Sequence, residues 1–475
     1  MSDTAHSPAD RRIARILFAG LWAIYALIGP GASAVNPNVI SRLGFVFAVL
    51  EDGTPRIDRF ASFTVDKAEF EGHTYLDKAP GLSLMTLPVV ATVRAVALVA
   101  GGDGAPLRDG ALTPFFWLCA FIAVALVVAP VTAAAAAILY LLARRLGAST
   151  AAALFAAVAF ALATPAFGWS TTFFSHAVTG GLLFAGFAAV VRASTPGTCK
   201  PVAVAAVAGG LLGWAVVVEF TAAAPAAAIA LAGLWRLRAL PTRRAGVLLA
   251  ATGAGMLAAV PLILYNLWCF GTPIHLAYSN VVGFDGMQSG LFGISLPRPE
   301  IAFALLFGLK RGLFWITPLL LLLPLAWRAG FRSWPGPIAS ISLVVPVLLF
   351  LINAGYAYWD GGASTGPRHL IPALPFAALA LAPLWDASGP RLRRTLLALA
   401  GLSFALCLAC AAVTMVAPME VDTPLTTYLW PRLMSGEVHT VFMLIGITGF
   451  APYIVPAMVL WVMVRKVAVY AGHHR

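Results

Sequence analysis

Residues 112–143 read LTPFFWLCAFIAVALVVAPVTAAAAAILYLLA, and this stretch contains no charged side chain. It ends directly before two arginines, Arg144 and Arg145. An α-helix rises about 1.5 Å per residue, so about 20 apolar residues suffice to cross the roughly 30 Å hydrocarbon core of a bilayer. The stretch therefore predicts a transmembrane helix whose arginines reach the lipid headgroups.

Similar apolar runs recur along the whole chain. Of its 475 residues, 60% are hydrophobic and only 11% are charged, which leaves too little polar surface to coat a soluble globule of this size. We predict an all-α polytopic membrane protein with about twelve transmembrane helices, built as a single integral membrane domain over residues 1–475. The predicted spans are 13–34 and, within 112–465, eleven more at 112–143, 149–168, 174–192, 202–218, 222–236, 245–266, 301–327, 337–354, 370–385, 395–417 and 440–464.

The positive charges gather on one side of this predicted topology. If alternate connections face the cytoplasm, that side holds 19 of the 31 basic residues but only three of the 19 acidic residues. This bias follows the positive-inside rule and requires an even number of spans with both termini in the cytoplasm. The same sidedness explains the net charge of +12, and we predict no nucleic-acid partner.

The first apolar segment, 13–34, has two possible fates. It follows three arginines and ends in Ala32-Ser33-Ala34, a pattern that also occurs in cleaved signal peptides. The run is long enough to span a bilayer, so we predict a retained first helix. Either fate places residue 35 on the outer side.

The segment 35–111 is the longest predicted outer loop. Between residues 51 and 77 it carries seven acidic side chains in a protein that otherwise avoids charge. Its apolar part, 82–100, is interrupted by Pro88 and Arg94, so we predict a helix lying along the outer surface of the bilayer. Other outer loops are predicted at 267–300, 355–369 and 418–439, and the outer face is therefore the predicted working face.

The first outer loop contains the first group of candidate functional residues. A charged side chain at mid-bilayer costs roughly 2.5 to 3.5 kcal/mol on insertion scales. Each charged residue in or beside a span is therefore a candidate functional residue. A solvated loop with helix-capping residues is the alternative reading, but Pro80-Gly81 and the apolar helix after it hold this segment at the membrane surface. The acidic, basic and aromatic candidates in the loop are Asp58, Asp66, His73, Tyr75 and Lys78.

Three other places on the outer face carry candidates. His176, at the start of the fourth span, suits hydrogen bonding to a substrate or a carboxylate, although a packing histidine has the same pattern. Glu219 ends the fifth span, where a capping carboxylate is the simpler alternative. The loop 356–369 contains Asp360 and Arg368 among glycines and aromatic residues. An arginine there could hold a phosphate with two parallel hydrogen bonds, and glycines let a sugar approach the backbone, whereas a plain turn is the alternative.

Cysteine spacing and known motifs indicate no cofactor. The five cysteines show no disulfide or metal-ligand framework, and Cys407 and Cys410 lie within an apolar run where packing is their expected role. No phosphate-binding loop, dinucleotide-binding glycine pattern or zinc-protease motif occurs in a suitable context. We predict no nucleotide cofactor and no metal ligands, and leave metal dependence open.

These residues resemble the type C (GT-C) membrane glycosyltransferases. Within that superfamily the sequence is similar to the bacterial group of lipopolysaccharide-core galacturonic acid transferases, aminoarabinose transferases of lipid A and protein mannosyltransferases. The residues that carry the resemblance are Asp66 to Gly81, Phe174-Ser175-His176-Ala177, Tyr265-Asn266, Phe270-Gly271-Thr272-Pro273, Arg311-Gly312-Leu313-Phe314, Thr317-Pro318, Trp359-Asp360-Gly361-Gly362 and Gly366-Pro367-Arg368.

The resemblance implies an enzyme, its location and its partners. The fold would place a large first periplasmic loop with juxtamembrane helices on a transmembrane bundle in the bacterial inner (plasma) membrane. The donor would be a sugar on a polyprenyl phosphate. The acceptor would be a glycolipid, polysaccharide or protein of the cell envelope, met on the periplasmic face.

The resemblance also suggests roles for residues. Lys78 matches the lysine that faces the donor phosphate in aminoarabinose transferases, and Arg368 would share that charge. The chain departs from those enzymes after the first helix, where Asn36-Pro37-Asn38 replaces an Asp-Glu pair. The general base must then come from later in the loop, and we predict Asp66 first and Asp58 second. A single displacement would invert the anomeric configuration.

The other candidates are predicted to bind the substrates. His176, Glu219 and Asp360 would position sugar hydroxyls or the acceptor, and Tyr75 and His73 would act beside Lys78 in the same loop.

Two other classes of protein fit the same topology. A secondary transporter or a flippase for lipid-linked sugars usually shows related halves with polar breaks at mid-membrane, whereas here no convincing repeat appears and the polar residues gather at the outer face. A purely structural membrane protein would not need an acid, a lysine and an arginine clustered at one interface. The glycosyltransferase is therefore the predicted class.

Overall fold

The computed structural model describes residues 6–240 and 243–472, and most of them are helical. The α-helices are α1 (Pro8–Ile28), α2 (Pro37–Phe47), α3 (Gly81–Val99), α4 (Pro114–Ala123), α5 (Ala129–Arg145), α6 (Thr150–Leu162), α7 (Ala166–Trp169), α8 (Ser175–Ala193), α9 (Pro201–Val218), α10 (Ala223–Arg236), α11 (Arg244–Phe270), α12 (Pro299–Phe307), α13 (Leu313–Ile316), α14 (Leu323–Ser333), α15 (Gly336–Ala354), α16 (Leu374–Leu379), α17 (Leu381–Ala387), α18 (Pro390–Val413), α19 (Trp430–Met434) and α20 (Ile454–Gly472).

Tighter and wider helical turns and four short strands complete the structure. The 3-10 turns are Gly31–Ala34, Asp58–Phe63, Phe220–Ala222, Leu237–Ala239, Ala277–Asn280, Asp285–Gln288, Pro318–Leu322, Arg368–Ala373, Val441–Ile445 and Ala451–Tyr453. The π-helical turns are Ala48–Asp52, Val124–Val128 and Pro424–Leu429. The strands form two antiparallel pairs, β1 (Ala68–Phe70) with β2 (His73–Tyr75) and β3 (Leu107–Arg108) with β4 (Ala111–Leu112).

The predicted all-α polytopic membrane class is confirmed. Among the described residues, nine helical stretches are long and apolar enough to cross a membrane by length and composition. The charge-free stretch 112–143 lies in one of them, Pro114–Arg145, except for its first two residues. The other eight are Gly81–Val99, Ser175–Ala193, Pro201–Val218, Arg244–Phe270, Gly336–Ala354, Arg368–Ala387, Pro390–Val413 and Ala451–Ala471.

The predicted span 301–327 is not one helix, which corrects the sequence analysis. Helix α12 ends at Phe307 and α14 begins only at Leu323. The chain makes a tight turn at residues 308–312, where a Cβ on Gly312 would lie 2.4 Å from the Gly308 carbonyl oxygen. Pro318 then removes a backbone donor. An apolar run can thus lie in a membrane protein without forming a continuous helix.

The predicted spans 440–464 and 13–34 are also displaced. Helix α20 begins only at Ile454, after Gly446 and Gly449 adopt φ values of +80° and +83°, which a right-handed helix does not contain. Helix α1 begins before the predicted start and ends at Ile28, where the following glycine again has a positive φ. The helix ends therefore follow glycine and proline more closely than hydrophobicity.

Two polar layers lie at opposite ends of the bundle. At one end, Asp10 accepts hydrogen bonds from Tyr140 at 2.7 Å and Arg144 at 2.9 Å, and Asp386 accepts one from the Ser149 N–H at 2.8 Å. We call this end the basic face. The opposite end, which we call the site face, holds the start of α4 and α8 and the end of α9. The loop after α1 lies on it.

Helix α3 lies along the site face. Its first residue packs on the end of α9, because a Cβ on Gly81 would lie 2.6 Å from the Val217 carbonyl oxygen. Its later part is tied to the turn after α2 by an ion pair between Arg94 Nε and Glu51 Oε1 at 3.2 Å. Both ends of α3 therefore lie at one face, although its length and composition would allow it to span. The position of this helix along the bilayer surface stays a prediction.

The first loop is held in place by a second loop. Ala68 in β1 pairs with Tyr75 in β2 on one side and forms a bridge with Val281 on the other. The Tyr265 hydroxyl, near the end of α11, donates to the Leu76 carbonyl at 3.2 Å. The β1–β2 hairpin and Leu76, which follows it, are therefore held by the segment around Val281 and by α11.

Candidate active site

A cavity of about 480 Å³ lies at the site face. We call it the charged cavity. Its wall is built from the first loop, the start of α8, the end of α9, and the segments 278–287, 356–369 and 418–420. Its acidic and basic lining residues, histidines aside, are Arg42, Asp66, Asp77, Lys78, Glu219, Arg368 and Glu420.

Lys78 lies between two carboxylates of the first loop. Its ammonium donates to Asp77 and lies 3.5 Å from Asp66 Oδ2. Burial alone would lower the pKa of Lys78, but the charges of Asp66 and Asp77 outweigh it and hold the pKa above its ordinary value. Lys78 is therefore a firmly positive group in the cavity wall.

The two carboxylates differ in exposure. The Asp77 side chain is 2% exposed, burial raises its pKa, and its Oδ1 has no hydrogen-bond partner within the described part of the chain. The Asp66 side chain is 15% exposed and lines the cavity. Asp77 is thus the buried partner of Lys78, whereas Asp66 is the carboxylate that a ligand in the cavity can contact.

A second network runs from α2 to α9 through the start of α8. Arg42 is 2% exposed and donates to Asn38 Oδ1 at 2.9 Å and to Ser175 Oγ at 3.2 Å. Ser175 in turn donates to Glu219, and His176 Nδ1 lies 3.5 Å from the same carboxylate. Burial lowers the pKa of Arg42, with the Glu219 charge opposing that shift. The network fixes the orientation of the Glu219 carboxylate and the His176 ring.

The helix order explains why these residues meet. Helices α8 and α9 are sequential and antiparallel, so the first turn of α8, with Ser175 and His176, lies beside Glu219, which caps the end of α9. Phe174, before α8, is extended and places its ring 5.2 Å from the Arg368 guanidinium in a cation–π contact. The start of α8 therefore contacts both the end of α9 and Arg368.

Arg368 and His369 enter the cavity from the loop before α16. Arg368 Nε and His369 Nε2 are buried and lack hydrogen-bond partners among the residues described. The rings of His176 and His369 lie 5.1 Å apart in an edge-to-face contact. Gly361 has φ +72°, and a Cβ there would lie 2.9 Å from Arg368 Nε, so a larger residue would be strained and would displace the Arg368 side chain.

A buried arginine holds the loop that carries Arg368. Arg311 is 1% exposed and donates to the carbonyl oxygens of Asp360 at 2.8 Å and Gly362 at 2.6 Å. The Asp360 carboxylate accepts the Gly362 N–H at 3.0 Å. The break between α12 and α13 thus supplies a clamp for the glycine-rich loop.

Five of the nine predicted site residues line the charged cavity. They are Asp66, Lys78, His176, Glu219 and Arg368.

The other four lie elsewhere. Asp58 and His73 form a surface pair at 2.9 Å, with side chains 47% and 36% exposed. Burial opposes the shift, but hydrogen bonds from the Thr74 N–H and His73 lower the pKa of Asp58. Tyr75 packs its ring 5.5 Å from Phe270. Asp360, as described above, stabilises its own turn.

Several cavity residues were missed by the sequence analysis. Arg42 gave a signal, since it interrupts the apolar run VISRLGFVF, residues 39–47. Asn36 and Asn38 were noted only as a departure from the family pattern, yet both line the cavity. Tyr356 belongs to the loop 356–369, whose aromatic residues were noted without singling it out, and Tyr278 gave no signal.

Metal ligands are predicted absent from the site. Within residues 6–240 and 243–472, no three His, Cys, Asp or Glu side chains are grouped so that they could hold a metal ion. The five cysteines are all free. The absence of metal ligands from the site stays a prediction.

Comparison with known proteins gives distant structural likenesses. No protein family and no curated protein matches the chain. The chain is similar to solved structures of ArnT from Cupriavidus metallidurans, with 17% identity in both. For the apo structure the TM-score is 0.48, and the match covers 96% of this chain and 72% of ArnT. For the structure with undecaprenyl phosphate bound the TM-score is 0.47, and the match covers 97% of this chain and 73% of ArnT.

The arabinosyltransferase EmbB from Mycobacterium smegmatis is similar at a TM-score of 0.45 and 16% identity, covering 100% of this chain and 42% of that one. All three TM-scores lie below 0.5, so the site geometry has to carry the functional argument.

Proposed function

We propose that this protein is a membrane glycosyltransferase that moves a monosaccharide from a polyprenyl-phosphate donor to an acceptor of the cell envelope. The observation that carries the proposal is the charged cavity, which brings Lys78, Arg368 and Asp66 together at one end of a transmembrane bundle. In a lipid-linked donor the lipid chain would lie among the helices and the phosphate at their ends. The charged cavity lies at such an end.

The cations suit the leaving phosphate. When the bond between the anomeric carbon and the phosphate oxygen breaks, the electron pair and the negative charge go to the phosphate. Groups already oriented toward that charge lower the barrier most. Lys78 is held positive by Asp66 and Asp77, and the buried Arg368 Nε has no partner in the described structure.

Asp66 suits the role of general base. An acceptor hydroxyl must lose its proton as its oxygen attacks the anomeric carbon, and a carboxylate within about 3 Å can accept that proton. Asp66 lines the cavity, whereas Asp58 is paired with His73 on the surface. We therefore place Asp66 ahead of Asp58. One displacement without a covalent intermediate inverts the anomeric configuration.

The network around Glu219 suits the positioning of sugar or acceptor hydroxyls. The Glu219 carboxylate and the His176 ring line the cavity and are fixed by Ser175 and Arg42. Asp360 acts indirectly, because its carboxylate stabilises the loop before Arg368.

The sidedness of the charges supports a location. The basic face carries the arginines that the positive-inside rule assigns to the cytoplasm. We therefore propose a bacterial inner-membrane protein with both termini in the cytoplasm and the site face in the periplasm. Polar cavity residues gathered at one face favour surface chemistry over transport through the bundle.

The test compares envelope glycans with and without the gene. A strain lacking it should lose one sugar from one envelope glycolipid, polysaccharide or protein, and its polyprenyl-phosphate sugar should accumulate. Wild-type protein should restore the sugar, and the Asp66→Asn variant, present at equal level, should not. An unchanged glycan profile, or full restoration by Asp66→Asn, would contradict the proposal.

A further inference from the structure

A second cavity of about 280 Å³ adjoins the charged cavity. We call it the neutral cavity. The two share five lining residues: His176, Glu219, Tyr278, Tyr356 and His369. The shared wall means that one ligand can occupy both.

The two cavities differ in charge. Arg42, Lys78 and Arg368 line only the charged cavity, and Asp66 and Asp77 do so as well. Glu219 is the one acidic residue among those lining the neutral cavity, and no lysine or arginine lines it. Glu219 is linked to Arg42 through Ser175 on the side of the charged cavity, so a ligand group that enters the neutral cavity meets this carboxylate on a wall that carries no lysine or arginine.

Asn353 indicates what the neutral cavity binds. It lies in the last turn of α15, is 1% exposed and lines this cavity. Both its amide nitrogen and its amide oxygen are buried without a hydrogen-bond partner in the described part of the chain. A buried amide needs partners for both atoms, so it calls for a ligand that donates and accepts.

This requirement separates two kinds of occupant. A lipid chain would fit the apolar part of the wall, which includes Leu349, Ile352 and Phe292, but it would leave both Asn353 amide atoms unpaired. The hydroxyl groups of a sugar ring each donate and accept, and can satisfy both. The rings of Tyr278 and Phe292, 6.2 Å apart, add flat apolar surface for the carbon face of a sugar.

We infer that the neutral cavity is the donor-sugar subsite, that Asn353 binds the sugar hydroxyls, and that the subsite takes a monosaccharide without a carboxylate. The inference rests on the proposed function and deepens it. A uronic acid would place its negative charge near Glu219 with no cation from this wall to balance it. A neutral or amino sugar meets no such repulsion.

The test measures binding of lipid probes to the full-length protein in nanodiscs. The probes are undecaprenyl phosphate alone and its glucosyl, mannosyl, galactosyl, arabinosyl and galacturonosyl derivatives. At least one neutral derivative should bind about tenfold tighter than undecaprenyl phosphate, as two net hydrogen bonds allow. The galacturonosyl derivative should bind no tighter than undecaprenyl phosphate.

Asn353→Leu should remove the advantage of the neutral derivative and keep the affinity for undecaprenyl phosphate, which also shows that the variant is folded. Leu351→Ile, on the exposed side of the same helical turn, should preserve both affinities. Lys78→Ala should weaken the binding of every probe.

Three results would overturn the inference. In the first, Asn353→Leu lowers all affinities equally, as a structural or lipid-chain role requires. In the second, the neutral advantage survives in Asn353→Leu, or the galacturonosyl lipid binds tightest to wild type. In the third, wild-type protein binds no polyprenyl phosphate at all, which overturns the proposed function together with this inference.

Discussion

At the scale of single residues, the assignment of the base is the sharpest claim. Asp66→Asn keeps the shape of the side chain but removes its ability to accept a proton. Transfer activity should fall by about 10²- to 10⁴-fold, measured as kcat in proteoliposomes. Donor binding should stay within a few-fold, since Lys78 keeps its contact with Asp77.

The surface carboxylate supplies the matched control. Asp58→Asn breaks a pair with His73 outside the cavity, and activity should stay near that of wild type. Equal losses in both variants, or full activity in Asp66→Asn, would contradict the assignment.

Arg368 should determine affinity for the donor phosphate. Charge-assisted hydrogen bonds contribute about 1.5 to 3 kcal/mol, roughly 10- to 150-fold in affinity, so Arg368→Ala should raise the donor Kd by that factor. Arg393 is a fitting control, because its guanidinium also lies over an aromatic ring, 5.6 Å from Trp385, but at the basic face. If Arg393→Ala weakens donor binding as much, Arg368 has no special role.

Residue patterns predicted part of this site and could not predict the rest. Lys78 precedes the predicted surface helix and Arg368 precedes a predicted span, and both line the cavity. Arg42 interrupts an apolar run, but its partners Ser175 and Glu219 are distant in sequence, so its role could not be predicted. Asn353 looks like any polar residue at a helix end, because its unpaired amide is a property of the packed structure.

At the scale of elements, the glycine-rich loop 360–366 shows how backbone shape supports a charge. Gly361 and Gly362 both adopt positive φ, +72° and +63°, but a Cβ would meet Arg368 only at Gly361, and nothing within 4 Å at Gly362. Both alanine variants carry a backbone strain of about 1 to 2 kcal/mol. Gly361→Ala should additionally displace Arg368 and weaken donor binding clearly more than Gly362→Ala does. Equal donor affinities in the two variants would contradict this support role.

Two apolar runs show that hydrophobicity alone does not always predict a continuous helix. The run 112–143 is long and free of charge, and it forms the predicted helix. The run 301–327 is nearly as apolar but does not form one helix. Gly312 and Pro318 favour a tight turn, and Arg311 donates to carbonyl oxygens of another loop. Glycine and proline gave the local signal, whereas the partners of Arg311 are set by tertiary packing.

At the scale of the whole molecule, the two faces should lie in different compartments. Cys199 is an exposed cysteine in the connection between α8 and α9, at the basic face, while the other four cysteines are buried. A membrane-impermeant maleimide should label Cys199 only after the inner membrane is opened. Asp103→Cys, introduced with Cys199→Ser, should be labelled in cells whose outer membrane alone is permeable. Reversed labelling would invert the topology and place the cavity in the cytoplasm.

The most direct measurement of the central claim is sugar transfer in a reconstituted system. Purified protein in proteoliposomes receives undecaprenyl phosphate carrying a radiolabelled sugar, together with envelope acceptors from a strain lacking the gene. The account predicts that label joins an acceptor covalently while free undecaprenyl phosphate appears in equal amount, and that Asp66→Asn slows both by about 10²- to 10⁴-fold. Movement of the intact labelled lipid across the bilayer, with no change in its covalent structure, would contradict the account and identify a transporter.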